Sequence, residues 1–345
     1  MPSHFLFFYS ENNMKPLWLL TAMAGLLSSS VLAAPINVKF DKVADNVYAF
    51  VGPTDDRTVE NFGLNSNHGL IVTDKGAILI DSGASYTAAK QLEAAAAKIT
   101  KQPIVAVINT GSQDHRWLGN GYFAAKGAEI VTLQRTVETQ KKLAKGQIDS
   151  LTKTLGDQMK GTEAVTAAKP IAADIHSLTI GASEVKVRYF ADAHFPGDVT
   201  VYVPKANVVF TGDHVYLDRM IGIHPGWSNP KTWRSAVHEL MKAYPTAKVV
   251  PGHGRVADMA MAKKETADYL DYLNDVVGKA ALDMGSIDDV SAKSKDLAQF
   301  KHLKHYESTT IAGIRAMSIP LSYFMSKVIN ARIERYWLVF AGSLI

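Results

Sequence analysis

Four short segments of this 345-residue chain follow or end apolar runs with histidine, aspartate or glutamine. They are Asn109-Thr110-Gly111-Ser112-Gln113-Asp114-His115-Arg116, Ala193-His194-Phe195-Pro196-Gly197-Asp198, Phe210-Thr211-Gly212-Asp213 and Pro251-Gly252-His253-Gly254. Three imidazoles and a carboxylate brought to one point form a donor set for zinc or another divalent first-row ion. Glycines beside Asp213 and on both sides of His253 let backbone turn sharply in a crowded place. Taken singly, a histidine after a strand is more often a hydrogen-bonded structural residue, and an aspartate after glycine more often caps a turn. His214, His224 and His238 are left in that structural class. The four contexts together predict one metal site assembled from four strand ends.

The elements that must position these residues read as an α/β layer. Apolar runs at 47–51, 69–73 and 77–81, the last two joined by Asp74-Lys75-Gly76, predict a hairpin. A helix over 85–99 and a strand over 104–108 follow. Further on come a helix at 120–126, a strand at 128–133 and a polar, Lys-rich helix over about 134–160, read as a solvated face. Strands at 178–180, 185–190, 199–203 and 208–210, helices at 232–244 and 259–277, and a short strand at Val249-Val250 complete the body. In an open α/β sheet the loops beyond strand ends gather at one edge, where ligand sites are built.

Composition bounds the function classes. With 47% apolar and 9% aromatic residues the chain can bury a substantial core. A formal charge of +4, with acids interspersed among the bases, gives no electrostatic footprint for nucleic acid. The absence of cysteine excludes thiolate ligands and a cysteine nucleophile, so any metal must take nitrogen and oxygen. Met14-Lys15, an apolar stretch over 17–27 and Ala33-Ala34-Pro35 read as a secretory signal peptide over 1–33, with translation starting at Met14. That predicts a periplasmic or secreted protein with no stable membrane anchor after cleavage and a small-molecule substrate as partner. Residues 38–277 form the expected main domain. Residues 278–345 form a C-terminal, mainly helical extension, with helices expected at 290–300 and 311–325 and an apolar stretch at 336–345.

Gly69-Leu70-Ile71-Val72, Leu79-Ile80-Asp81-Ser82-Gly83-Ala84, Asn109-Thr110 and the His194, Asp213 and His253 segments resemble, in order, the serial motifs of the metallo-β-lactamase superfamily. Among its members the chain looks closest to secreted relatives that include the quinoprotein-associated metallohydrolases. The resemblance spans roughly 38–277. It implies an αββα sandwich with a metal site at one edge and hydrolysis of esters, thioesters, lactones, lactams or phosphodiesters.

The departure is in the family's His-x-His-x-Asp-His motif. Aligned without gaps, Gly111 and Gln113 fall at the first two histidines, His115 at the aspartate and Arg116 at the last histidine. One metal position then keeps Gln113, His194 and Asp213, and the other His115, Asp213 and His253. A one-residue shift instead matches Asp114-His115 to Asp-His and gives Asp114, His115, Asp213 and His253. An arginine in a ligand position carries a permanent charge, so one ion is expected rather than two. Zinc is the first choice, although iron and manganese suit the same donors. The expected reaction is attack by metal-bound hydroxide on an ester, thioester, lactone or lactam carbonyl, with Asp114 orienting the water or taking its proton. Arg116 is expected to stabilise an oxyanion, to bind a substrate carboxylate, or to pair with Asp114 or Asp198. Asp81 is expected to orient a ligand or the neighbouring loop. Arg219, Trp227 and Trp233 are candidates for a substrate wall, with core packing the commoner fate of such aromatics. The rival reading is a binding protein that keeps the fold and has lost the chemistry.

Overall fold

The computed structural model describes residues 34–315 except 284, 285, 295, 296 and 312. The expected signal peptide, the 336–345 stretch and most of the expected 311–325 helix lie outside the described residues. Six strands form one sheet in sequence order: β1 (Asp41–Ala44), β2 (Val47–Phe50), β3 (His68–Thr73), β4 (Gly76–Ile80), β5 (Ile104–Ile108) and β6 (Glu129–Val131). Its first four strands are antiparallel neighbours, and β5 and β6 continue parallel to β4. Five more strands form a second sheet: β7 (Ile175–Ile180), β8 (Ser183–Arg188), β9 (Thr200–Val203), β10 (Val208–Tyr216) and β11 (Lys248–His253), laid out in reverse sequence order with only β10 and β11 parallel.

Successive side chains on a strand point to opposite faces, so a strand buried on both faces is apolar at every position. Ile71, Ile78, Ile80 and Ile108 of the first sheet meet Val187, Val201, Val208 and Phe210 of the second. Their sequence neighbours Leu70, Leu79 and Val107 pack outward against Ala88, Ala89 and Leu92 of α1 (Tyr86–Ala96). On the far side Val209 and Val249 pack against Leu240 of a helix over Pro230–Ala243 and against Met259 and Ala262. The layers are therefore helix, sheet, sheet, helix, and the αββα sandwich is the architecture of the protein.

Two expectations change. The strand opening at Val208 does not stop before the chemistry. It runs buried through Asp213 to Tyr216, because Asp213 is paired and Gly212 bends the backbone with φ +51°. The Lys-rich helix, Gln134–Leu155, is more than a solvated face: Gln140 Nε2 donates to the Gly111 carbonyl at 3.3 Å and Gln147 Nε2 to that of Ser112 at 3.0 Å. Its buried side braces the loop after β5.

The C-terminal residues are part of the body. Phe300, Leu303, Tyr306 and Ile314 are buried with Tyr216, Met220, Trp233 and Tyr269, and Met220 N and Lys304 N exchange backbone hydrogen bonds with Lys304 O and Asp218 O. Among the described residues no helix is long and apolar enough to cross a membrane.

Between the sheets the Phe210 ring lies directly over Gly69, leaving no room for a β-carbon. Gly69→Ala is expected to destabilise by about 1–3 kcal/mol through overpacking, measured by denaturant unfolding, with part of the loss recovered in combination with Phe210→Leu.

Candidate metal centre

Asp213 is the point on which the segments converge. The ends of β5 and β11, the connection from β8 to β9 and the middle of β10 meet at one edge. They are stitched there by Asp81 N to Ile108 O, Val199 N to Thr110 O and Asn67 N to Gly252 O. After β5, a short helix over Asp114–Trp117 turns His115 and Arg116 inward. Asn109 Nδ2 donates to the Arg116 carbonyl at 2.8 Å, and Asn109 and Asn120 exchange side-chain hydrogen bonds, which fixes that turn.

The donor atoms of His115, Asp213 and His253 all lie within 4.8 Å of one another, and all three residues are buried. His115 Nε2 stands 3.3 Å from Asp213 Oδ2, His253 Nε2 stands 3.4 Å from Oδ1, and His194 Nδ1 stands 3.7 Å from Oδ2. His253 Nδ1 lies 2.8 Å from the Asn65 carbonyl, so it carries the proton and leaves a lone pair on Nε2. His115 Nε2 and His194 Nδ1 are buried and have no hydrogen-bond partner. Two orphaned imidazole nitrogens beside a buried carboxylate fit a cation there, since unpaired buried polar atoms are otherwise costly. Gln113 precedes the short helix half-buried, with its Oε1 buried and unpartnered, which keeps it available as an oxygen donor.

Arg116 occupies the other side of Asp213. Its Nη2 and Nε donate to the two carboxylate oxygens at 2.5 and 3.2 Å, its Nη1 donates to Asp81 Oδ2 at 3.0 Å, and the carbonyls of Asn67 and Gly252 accept at 3.2 Å each. Every N–H of the guanidinium is used, and the residue is 1% exposed. This corrects the expectations for Arg116. It pairs with neither Asp114 nor Asp198, and no donor is left over for an oxyanion or a substrate carboxylate.

Asp81, with the uncommon φ of +62°, accepts from Thr110 N and Thr110 Oγ1 at 2.7 Å as well as from Arg116. It therefore holds the arginine and the post-β5 loop together. Burial opposes the charge on Arg116, but Asp213 and Asp81 outweigh it and hold the group above its ordinary value. Burial likewise opposes the charge on Asp213, yet the Arg116 guanidinium outweighs it and keeps the carboxyl well below the usual carboxylate range.

The space of the missing first histidine is filled. A β-carbon on Gly111 would come within 2.6 Å of Asp198 Oδ1, so the Asp198 carboxyl takes that volume, and burial raises it well above its usual value. Asp114 is also not a free base. Arg57 Nη2 lies 2.5 Å from its Oδ1, and although burial pushes the carboxyl up, Arg57 and His115 bring it down to about 2. A carboxylate that weakly basic does not take a proton from water at neutral pH, so that expected role is corrected too.

Trp233 is fully buried, donates from Nε1 to the His214 carbonyl and belongs to the core, with its ring 5.3 Å from that of His194. Trp227 packs near Phe195, and Arg219 Nη1 is buried without a partner. His224, assigned to structure from sequence, lies with its ring 5.0 Å from that of His194. Arg57, Asn67 and Lys304 were not identified from sequence. Arg57 sits in an irregular polar stretch with no motif. Asn67 links the sheets by donating to Pro251 O and Gly254 O. Lys304 reaches across to Asp55 at 2.7 Å.

A family model described as the metallo-beta-lactamase superfamily matches residues 62–253, more than half of the chain. The chain belongs to the metallo-β-lactamase superfamily. It is 26% identical over 240 residues to the metallo-beta-lactamase type 2 of Elizabethkingia meningoseptica, covering 68% of this chain and 87% of that one. It is also 26% identical over 191 residues to the metallo-beta-lactamase IND-1 of Chryseobacterium indologenes, covering 55% of this chain and 72% of that one. Among solved structures, a metallo-beta-lactamase from Pontibacter korlensis superposes with a TM-score of 0.54 at 22% identity, covering 68% of this chain and 99% of the other. At that identity the likeness speaks for the superfamily fold. His115, Asp213 and His253 are the set that the ungapped superfamily alignment groups in one metal position, and Arg116 stands beside them.

Arg116→Met leaves two buried carboxylates facing each other and is expected to destabilise by about 3–5 kcal/mol, readable as a lowered denaturant midpoint. A second expectation concerns pH. Burial holds His68 down to about 3 and His214 down to about 4, so both stay neutral in the folded protein while the unfolded chain protonates near 6.5. Stability from these residues is complete above pH 6.5 and falls as pH drops toward 4, by up to about 1.4 kcal/mol per pH unit for each histidine. His68→Gln should flatten that slope in urea titrations at stepped pH.

Proposed function

We propose that the chain is a metal-dependent hydrolase, exported to the periplasm or beyond, that holds one divalent ion. Zinc is the ion favoured by the donor chemistry. The ligands are His115, Asp213 and His253, with His194 beside Asp213 and Gln113 as a further oxygen donor. The observation that carries this reading is the pair of buried, partnerless nitrogens of His115 and His194 turned toward Asp213. When bound, the ion would polarise a carbonyl and acidify a water.

The chain's own residues set the rest. Asn65 O fixes His253 with its lone pair inward, Asp81 and Arg116 hold Asp213 in place, and Asp114 orients His115. Charge favours one ion over two. Arg116 with Asp81 and Asp213 leaves one net negative charge, Arg57 neutralises Asp114, and burial raises the Asp198 carboxyl well above its usual value. One divalent ion and one anionic ligand balance that charge, whereas a second ion would leave a large uncompensated positive charge in a buried space. The substrate class is an ester, thioester, lactone or lactam, lactams being suggested by the names of the relatives.

A second reading, a binding protein without turnover, is favoured by Arg116, which already engages both oxygens of Asp213. Metal analysis of the exported protein decides between them, together with a panel of those four substrate types. One zinc per chain with turnover is expected, and His253→Ala or His194→Ala should lower hydrolysis by at least about 100-fold, the scale of several kcal/mol of metal assistance. Two ions per chain would overturn the mononuclear assignment. A metal-free protein that binds without turnover would establish the rival.

A further inference from the structure

Behind His253 lies a set of buried contacts that none of the chemistry above uses. The ladder of β10 with β11 runs evenly as far as Phe210 and then slips, so that Gly212 pairs with Pro251 and Tyr216 with His253. Where strand pairing is irregular, backbone groups need other partners. Thr266 supplies them: its Oγ1 accepts from Tyr216 N at 3.0 Å and donates to Tyr216 O at 2.6 Å. The Tyr216 ring, on a backbone held at both its polar groups, stacks on the His253 ring at 4.6 Å with 25° between the planes.

One residue away on the same helix, Glu265 grips the next part of the strand end. Its Oε2 accepts from Asp218 N at 2.8 Å and its Oε1 from Arg255 Nη2 at 2.7 Å. Arg255 in turn donates to the Asp218 carboxylate from its backbone N, at 2.8 Å, and from its Nη1. Between Tyr216 and Asp218, Leu217 N donates to the His253 carbonyl at 2.9 Å. The His253 ring and backbone thus both rest on residues 216–218, and Arg255 ties the chain just after His253 to the same place. Glu265 and Thr266 are 2% and 0% exposed. A carboxylate buried that deeply is costly unless it is paired and hydrogen-bonded, as both of its oxygens are here. The two residues lie in Lys263–Ala267, a π-helical turn in the helix that opens at Met259, and such turns recur at functional sites.

We propose that Glu265 and Thr266 are positioning residues of the metal centre: they fix the end of β10 so that Tyr216, Leu217 and Arg255 hold the His253 imidazole with its Nε2 facing Asp213. Neither is a ligand, and each acts through the residues that support His253. The inference rests on the reading above that His253 is a ligand.

The test uses the full chain as wild type, Thr266→Val, Thr266→Ser and Glu265→Gln, each freed of metal and titrated with zinc under conditions where it is folded. A parallel titration with cobalt reads the geometry at the ion by visible absorption. Thr266→Val keeps the shape and loses the hydroxyl. Glu265→Gln keeps the shape and an acceptor for Asp218 N but loses the charge that faces Arg255. Both should bind zinc about 10- to 100-fold more weakly, the usual cost of losing a group that orients a ligand, and both should alter the cobalt spectrum. Thr266→Ser keeps the hydroxyl and should restore the wild-type affinity and spectrum, which a loss of packing alone would not permit.

Unchanged zinc affinity and cobalt spectrum in folded Thr266→Val or Glu265→Gln overturn the role of that residue and leave the ligand assignment standing. Thr266→Ser as weak as Thr266→Val also overturns the role of Thr266, because the deficit is then one of volume. Where Thr266→Val does not fold, Glu265→Gln decides by the same two readouts. A wild type that takes up no zinc overturns the inference together with the metal reading.

Discussion

Five N–H groups of one buried guanidinium meet five acceptors from four separate parts of the chain, and the site edge of the sandwich depends on that match. Arg116 ties β10 to β11 through Asp213 and Gly252, and ties both to Asp81, just after β4, and to Asn67, just before β3. A buried cation survives only when paired and fully hydrogen-bonded. Each acceptor is thereby fixed in place as firmly as the arginine itself. The carboxylate that gathers the histidines owes its position and its low proton affinity to this neighbour. The same contacts use lone pairs that a metal would otherwise share, so the arginine both builds the centre and limits it.

Much of the fold was legible in the sequence. Apolar residues at every position of Ile78-Leu79-Ile80 and Val107-Ile108 indicate strands covered on both faces, and the structure assigns those positions alternately to the intersheet core and to the helix layer. The convergence of His115, His194, Asp213 and His253 was also legible, because strand ends of an α/β layer share an edge and the motifs follow the order of the superfamily.

The partners of the charged residues were not legible. Arg116 reaches acids 35 and 97 positions away rather than those nearby, because only the folded sheets bring Asp81 and Asp213 together. Asp114 was read as a ligand, as the residue acting on the water, or as a partner of Arg116, whereas its partner comes from an irregular stretch 57 residues earlier that has neither periodicity nor motif. Gly111 was read as a lost ligand. The structure adds that the Asp198 carboxyl fills the volume beside Gly111, a packing detail that residue types alone do not encode. Local pattern specifies elements well, while buried charge pairs are decided by tertiary geometry.

The C-terminal residues carry a consequence for the order of assembly. Lys304 closes on Asp55, and Phe300, Leu303 and Tyr306 complete the packing around Tyr216 and Trp233, so segments from opposite ends of the described chain must meet before that packing is complete. Contacts of such long sequence separation form late, after the entropy of closing the intervening loop has been met. A chain emerging N-terminus first would carry its sheets and its histidines well before this last packing against Tyr216 and Trp233. Until those residues dock, Tyr216 and Trp233, whose rings flank that of His194, lack part of their packing.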